Sequence, residues 1–155
     1  MAVFWEVQCA FLILTLLFTF TRSECPCPKK ASGRDSYDKE AHFNVRDFDP
    51  SGMPSIGAKG MWVRFRRTKM DQRVERPEAQ GDGDWSFIGD TGDEETSILA
   101  WYVALQQFHG YRPDRSGPMF LNHRKDGAYL YGQFLTDFHN LQLRVACGVT
   151  DGMNS

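Results

Sequence analysis

Apolar residues run almost without a break from Ala10 to Phe20, and no glycine or proline occurs before Cys25. That pattern predicts a helix free to begin as early as Phe4 and to reach Glu24, hydrophobic on all sides and so suited to an interior. Cys25-Pro-Cys-Pro28 ends it, because prolines remove amide donors and bias the residues before them away from the helical region. A polar stretch, Lys29–Glu40, follows. His42-Phe-Asn-Val-Arg-Asp-Phe48 alternates as a short strand with Phe43, Val45 and Phe48 inward, and Asp49-Pro-Ser-Gly52 reads as a turn. Alternation is clearest over Gly60–Lys69, where Met61, Val63 and Phe65 face one way and Trp62, Arg64 and Arg66 the other. Trp85, Phe87 and Ile88 read as the returning partner, which makes a hairpin with a long acidic excursion around Gly81-Asp-Gly-Asp84. Ile98, Trp101, Tyr102, Leu105 and Phe108 share one helical face, so a helix is predicted from Ser97 to His109, stopped by Gly110 and Pro113. Pro118–Leu121 reads as a short buried segment. Tyr131, Phe134, Leu135, Phe138, Leu141 and Val145 then mark a longer helix ending at Gly148. The sum is an α+β fold, mostly helical, with a small antiparallel sheet.

The first apolar run has three readings: a membrane span, a secretion signal or a buried helix. It is well short of the roughly 18–25 residues needed to cross hydrocarbon, so no membrane anchor is expected. As a signal it lacks a basic leader, since Glu6 is the one charged side chain ahead of it. Removing residues 1–23 would also discard Cys9 and leave Cys25, Cys27 and Cys147, an odd set without a disulfide pattern. The pattern therefore favours a buried helix in an intracellular protein; a small secreted protein is the alternative.

Composition adds little until it is divided along the chain. With 155 residues, 41% hydrophobic and 25% charged, the protein has the makeup of an ordinary folded domain. The net charge of −2 hides a segregation: residues 59–76 sum to +5, and residues 78–95 carry seven acids and no base. Arg64, Arg66, Arg67, Lys69 and Arg73 lie in the basic segment, a grouping suited to a polyanionic backbone. His42, His109, His123 and His139 have no metal-ligand spacing, and Cys25-Pro-Cys27 is one residue short of the usual pair, so no metal site is expected. There is no phosphate-binding glycine loop, no nucleophile elbow and no cofactor motif. Arg22, at the end of the first helix, either balances the helix dipole or holds a phosphate with its planar fork, while Glu24 fixes Arg22 or the backbone beside it.

Three stretches together resemble the catalytic domain of the tyrosine recombinases, or phage-type integrases, most closely those of eukaryotic mobile elements. They are Leu16-Leu-Phe-Thr-Phe-Thr-Arg-Ser-Glu24, Val63-Arg-Phe-Arg-Arg-Thr-Lys-Met-Asp71 and Leu143-Arg-Val-Ala-Cys-Gly-Val149, with Gly117-Pro-Met-Phe120 matching the family's Pro-Leu-Phe element. The resemblance makes residues 1–152 one partial DNA breaking-and-rejoining domain. It implies that Arg22 grips the scissile phosphate, although the acid at Glu24 stands two residues along instead of three. It also implies that Lys69 is the hairpin lysine, a general acid towards the leaving 5′ hydroxyl.

The reaction so implied is phosphoryl transfer through a phosphotyrosine link, without cofactor or metal, in which cations neutralise charge on the nonbridging oxygens. The family continues, after its last matching helix, with a His-Xaa-Xaa-Arg block and the nucleophilic tyrosine. Every tyrosine here, Tyr129 and Tyr131 included, precedes that point. The expectation is thus a DNA-binding remnant of a recombinase, catalytically incomplete alone, acting in the nucleus where its DNA partner lies. Uncovered aromatic and leucine faces around Trp101 and Phe138 would favour self-association. A nonenzymatic binding module is the further alternative.

Overall fold

The computed structural model describes residues 3–19, 27–39, 41–50, 59–65, 84–109 and 116–154. Helix α1 spans Phe4–Thr19 and supplies much of the core: Val7, Cys9, Phe11 and Leu12 are at most 2% exposed. Its buried polar side chains are satisfied. Gln8 donates to the Leu121 carbonyl at 2.6 Å and accepts from the Leu121 amide at 2.8 Å, and Thr15 donates to the Phe11 carbonyl one turn back. Each bond removes the cost of an orphaned polar atom, so the helix can sit in apolar surroundings.

The predicted strand over 42–48 is replaced by a tighter element. Val45–Asp47 is a 3-10 turn, capped by an Asn44 side chain that accepts from Arg46 N–H while Asp47 accepts from Asn44 N–H. This reciprocal cap closes the backbone locally, which is why the alternation of apolar residues does not extend into a ladder there. Phe43 and Phe48 are nonetheless buried, as the alternation requires, and Val45 is half-buried.

Strands β1 (Phe48–Pro50), β2 (Gly60–Phe65) and β3 (Asp84–Gly89) form an antiparallel sheet in that order. Phe48 pairs with Val63, and Met61 with Ile88, so these four buried side chains line the inner face. Phe11 reaches them from α1, its ring 5.5 Å from Phe48 and 5.9 Å from Phe120. Gly60 is required by close approach: a Cβ there would collide with the Ile88 carbonyl oxygen and the Phe87 ring.

Helix α2, Ile98–Phe108, is capped by Ser97, whose hydroxyl accepts from Ala100 N–H. Phe4 meets Phe108 while Phe11 meets Tyr102, so α1 and α2 run antiparallel. Helix α3, Tyr131–Asn154, continues past Gly148, where the sequence pattern placed its end. A glycine inside a helix costs only about 1 kcal/mol relative to alanine, too little to stop one by itself. Arg144 of α3 pairs with Glu6 of α1 and lies over Trp5. Trp101 is half-buried with its indole N–H on the Glu95 carbonyl, and Phe138, stacked on Phe134, is 36% exposed. Among the described residues, three α-helices and a three-stranded antiparallel sheet make a small α+β unit, with far more residues in helix than in strand.

Candidate functional site

Arg22, Glu24, Arg66, Arg67, Lys69 and Arg73 lie outside the described residues. Arg64, the remaining predicted cation, is on β2, where its side chain is 15% exposed. Its Nε donates to Asp47 Oδ1 at 3.0 Å, and the guanidinium stands 5.1 Å above the Trp85 ring. Asp47 is fully buried, and its other oxygen holds the Asn44 amide at 2.9 Å. Arg64 is therefore held by the fold, joining the sheet to the capped turn. Sequence reasoning missed Asp47, although the Asn44-to-Asp47 spacing of a capping box was a signal for it.

Around Arg64 the outer face of the hairpin is aromatic. Trp62, Trp85 and Phe87 are each more than two-fifths exposed, and the Trp62 and Phe87 rings are 5.1 Å apart across the strands. At the far end of β3, Asp90 and Asp93 serve the backbone. Asp90 accepts from the Ser97 hydroxyl at 2.6 Å, from Leu99 N–H and from Gly92 N–H. Burial works to raise the Asp90 pKa, but these hydrogen bonds outweigh it and hold the carboxyl below its usual range. Asp93 likewise takes the Glu95 amide. Among the described residues no group of side chains is arranged to hold a metal ion.

A second polar constellation lies beneath α3, and sequence reasoning did not single it out. Asp137, 3% exposed, accepts on one oxygen from the Tyr129 hydroxyl at 2.5 Å and binds His123 Nε2 at 2.8 Å. Burial and the bond to Asp137 push the Tyr129 pKa up. Behind them are the buried free thiols Cys9 and Cys27. Burial, then the Asp137 charge, pushes Cys9 up to about 12; burial, then the neighbouring Cys9, does the same for Cys27. Both are protonated and unreactive at neutral pH. On the outer side His123 opens into a cleft of about 640 Å³, lined also by Lys30, Tyr37, Arg124, Asp126 and Gln133. The signal in the sequence was faint: one aspartate on the apolar side of an otherwise amphipathic helix.

One His-Xaa-Xaa-Arg spacing does occur, at His109-Gly-Tyr-Arg112, ahead of Met119 and of α3. His109 is the buried C-cap of α2 with its ring against Phe4, and Arg112 is outside the described residues. No helix among the described residues is long and apolar enough to cross a membrane. Comparison with protein-family models, curated proteins and solved structures found no match to the chain.

Proposed function

We propose that the chain is part of a tyrosine-recombinase catalytic domain that binds DNA along its sugar–phosphate backbone, with Arg22 and Lys69 at one phosphate. The observation that carries this reading is the antiparallel pairing of β2 with β3 as far as Phe65 and Asp84. In sequence, Arg66, Arg67, Lys69 and Arg73 fall between these two paired strands, and the resemblance asks for its lysine between two such strands. A buried α1 leading towards Arg22 gives further support, because an interior helix is a rigid base for a phosphate-gripping guanidinium. The order of helix, small antiparallel sheet, helix, Pro-Met-Phe segment and helix agrees as well. Loss of residues 1–23 would strip Val7, Cys9, Phe11 and Leu12 from the core, which speaks against the secreted alternative.

In this reading Arg66, Arg67 and Arg73 supply sequence-independent affinity, Lys69 and Arg22 face the reacting phosphate, and Glu24 steadies Arg22. A nuclear location goes with that partner. The test is fluorescence anisotropy of a labelled duplex across a salt series. Affinity should fall linearly in log–log form, and neutralising Arg66, Arg67 and Lys69 together should flatten the slope by about 0.9 for each phosphate that then goes unneutralised. Unchanged binding and slope in that variant would contradict the proposal.

A further inference from the structure

The cleft beside His123 has no role in the DNA reading, and its construction points to a ligand. We propose that it is an oxyanion site that takes a phosphate group through Lys30, His123 and Arg124. His123 and Arg124 stand on a closed turn. Asn122 N–H donates to the Gly127 carbonyl at 2.9 Å, Lys125 N–H to the Asn122 carbonyl at 2.9 Å, and the Asn122 and Asp126 side chains bond each other at 2.7 Å. The turn is pinned in its place, since Lys125, with φ of 61°, sends its ammonium to the Phe108 carbonyl at 3.0 Å and over the Phe4 ring. Lys30 comes from the opposite wall, where the amides of Lys29 and Lys30 share the Asp35 carbonyl.

The His123 ring is aimed by the buried carboxylate beneath it. With Nε2–H donating to Asp137, Nδ1 is the nitrogen left for a ligand, donating to a phosphate oxygen as the imidazolium or accepting from a protonated phosphate oxygen as the neutral ring, and the Tyr129 hydroxyl fixes Asp137 in turn. Leu130 and Gln133, at the start of α3, form another wall, where the Gln133 side chain accepts from Leu130 N–H and the Pro28 carbonyl accepts from Tyr131 N–H. Asp126 is the acid on this lining, and one of its oxygens already holds the Asn122 amide. Two cations and an oriented imidazole favour an anion, and planar Arg124 suits a phosphate. The volume admits a phosphate with a nucleoside attached.

The phosphate belongs either to a free nucleotide or to a nucleic-acid backbone, and one experiment separates them. The full chain, labelled with 13C-histidine, is titrated at fixed ionic strength with inorganic phosphate, adenosine 5′-monophosphate and a short duplex. His123 ring signals should shift saturably while those of exposed His139 stay in place. Lys30→Gln and Arg124→Gln, both at exposed positions, should weaken the response at least about tenfold with unchanged circular dichroism. Tighter binding of the nucleotide than of phosphate or duplex assigns a nucleotide; tightest binding of the duplex assigns a backbone. No saturable His123 shift with any of the three, or wild-type affinity in both variants, overturns the proposal. The outcome is independent of Arg66, Arg67 and Lys69, so the DNA reading and this one can fail separately.

Discussion

Asp47 and Arg64 show how one residue can look functional in the sequence and be structural in the fold. Arg64 falls among the cations of the basic segment, yet it answers a carboxylate with no exposed surface. Replacing it with methionine keeps the stem and strands the Asp47 charge, a change that typically costs about 3 kcal/mol. Urea denaturation should show that loss, and Asp47→Asn in the same background should restore part of it. If Arg64→Met is as stable as the wild type, the pair is not holding the sheet to the turn. Gln8 teaches the same lesson. It is a polar residue just ahead of the apolar run, and its partner Leu121 is 113 positions away, so nothing local in the sequence reveals the bond. Asp137 was equally hidden, because its meaning depends on Tyr129 and His123 arriving from a separate turn.

Elements were legible where periodicity alone sets them. The alternation over Gly60–Phe65, the amphipathic face of α2 with its Ser97 cap, and the all-round apolarity of α1 each led to the element found. Asp49 and Pro50, read as the opening of a turn, instead pair with Trp62 and Met61 in β1, and two further misreadings have local causes. A capping box turned the 44–47 stretch into a 3-10 turn despite its alternation, and Gly148 lies within α3 instead of ending it. Two further predictions belong to this scale. Gly60→Ala should destabilise by about 1–3 kcal/mol in chemical denaturation, because the rigid Ile88 carbonyl cannot give way to the new Cβ; a neutral result would mean the β2–β3 register differs. Asp90 joins the start of α2 to the end of β3, and its folded pKa lies below the unfolded value of about 3.9. The ionised carboxylate therefore stabilises the fold above that value, and the contribution is lost as pH falls through the folded pKa. Melting temperatures followed into acid should drop less steeply for Asp90→Asn than for wild type, and parallel curves would remove Asp90 as an acid-sensitive cap.

At the scale of the molecule, the described residues arrange a buried helix, a three-stranded sheet and two further helices around one core that runs from Val7 to Phe134. The fold class was within reach of the sequence because it needs only the types and order of elements. The site was less so. The DNA proposal rests on charge segregation and the three motif-bearing stretches, all visible in the sequence, whereas the cleft at His123 depends on residues brought together from positions 30 to 137. The outer hairpin face, with Trp62, Trp85 and Phe87 around Arg64, also became visible only once the strand register was known.

The central claim is that Arg22 and Lys69 act on the same phosphate. A double-mutant cycle on duplex binding tests it most directly, with Arg22→Met, Lys69→Met and the pair measured at one salt concentration. Two cations that share one phosphate should be coupled, and their combined loss should depart from the sum of the single losses by about 1 kcal/mol or more. Strictly additive losses, or no loss from either change, would contradict the account.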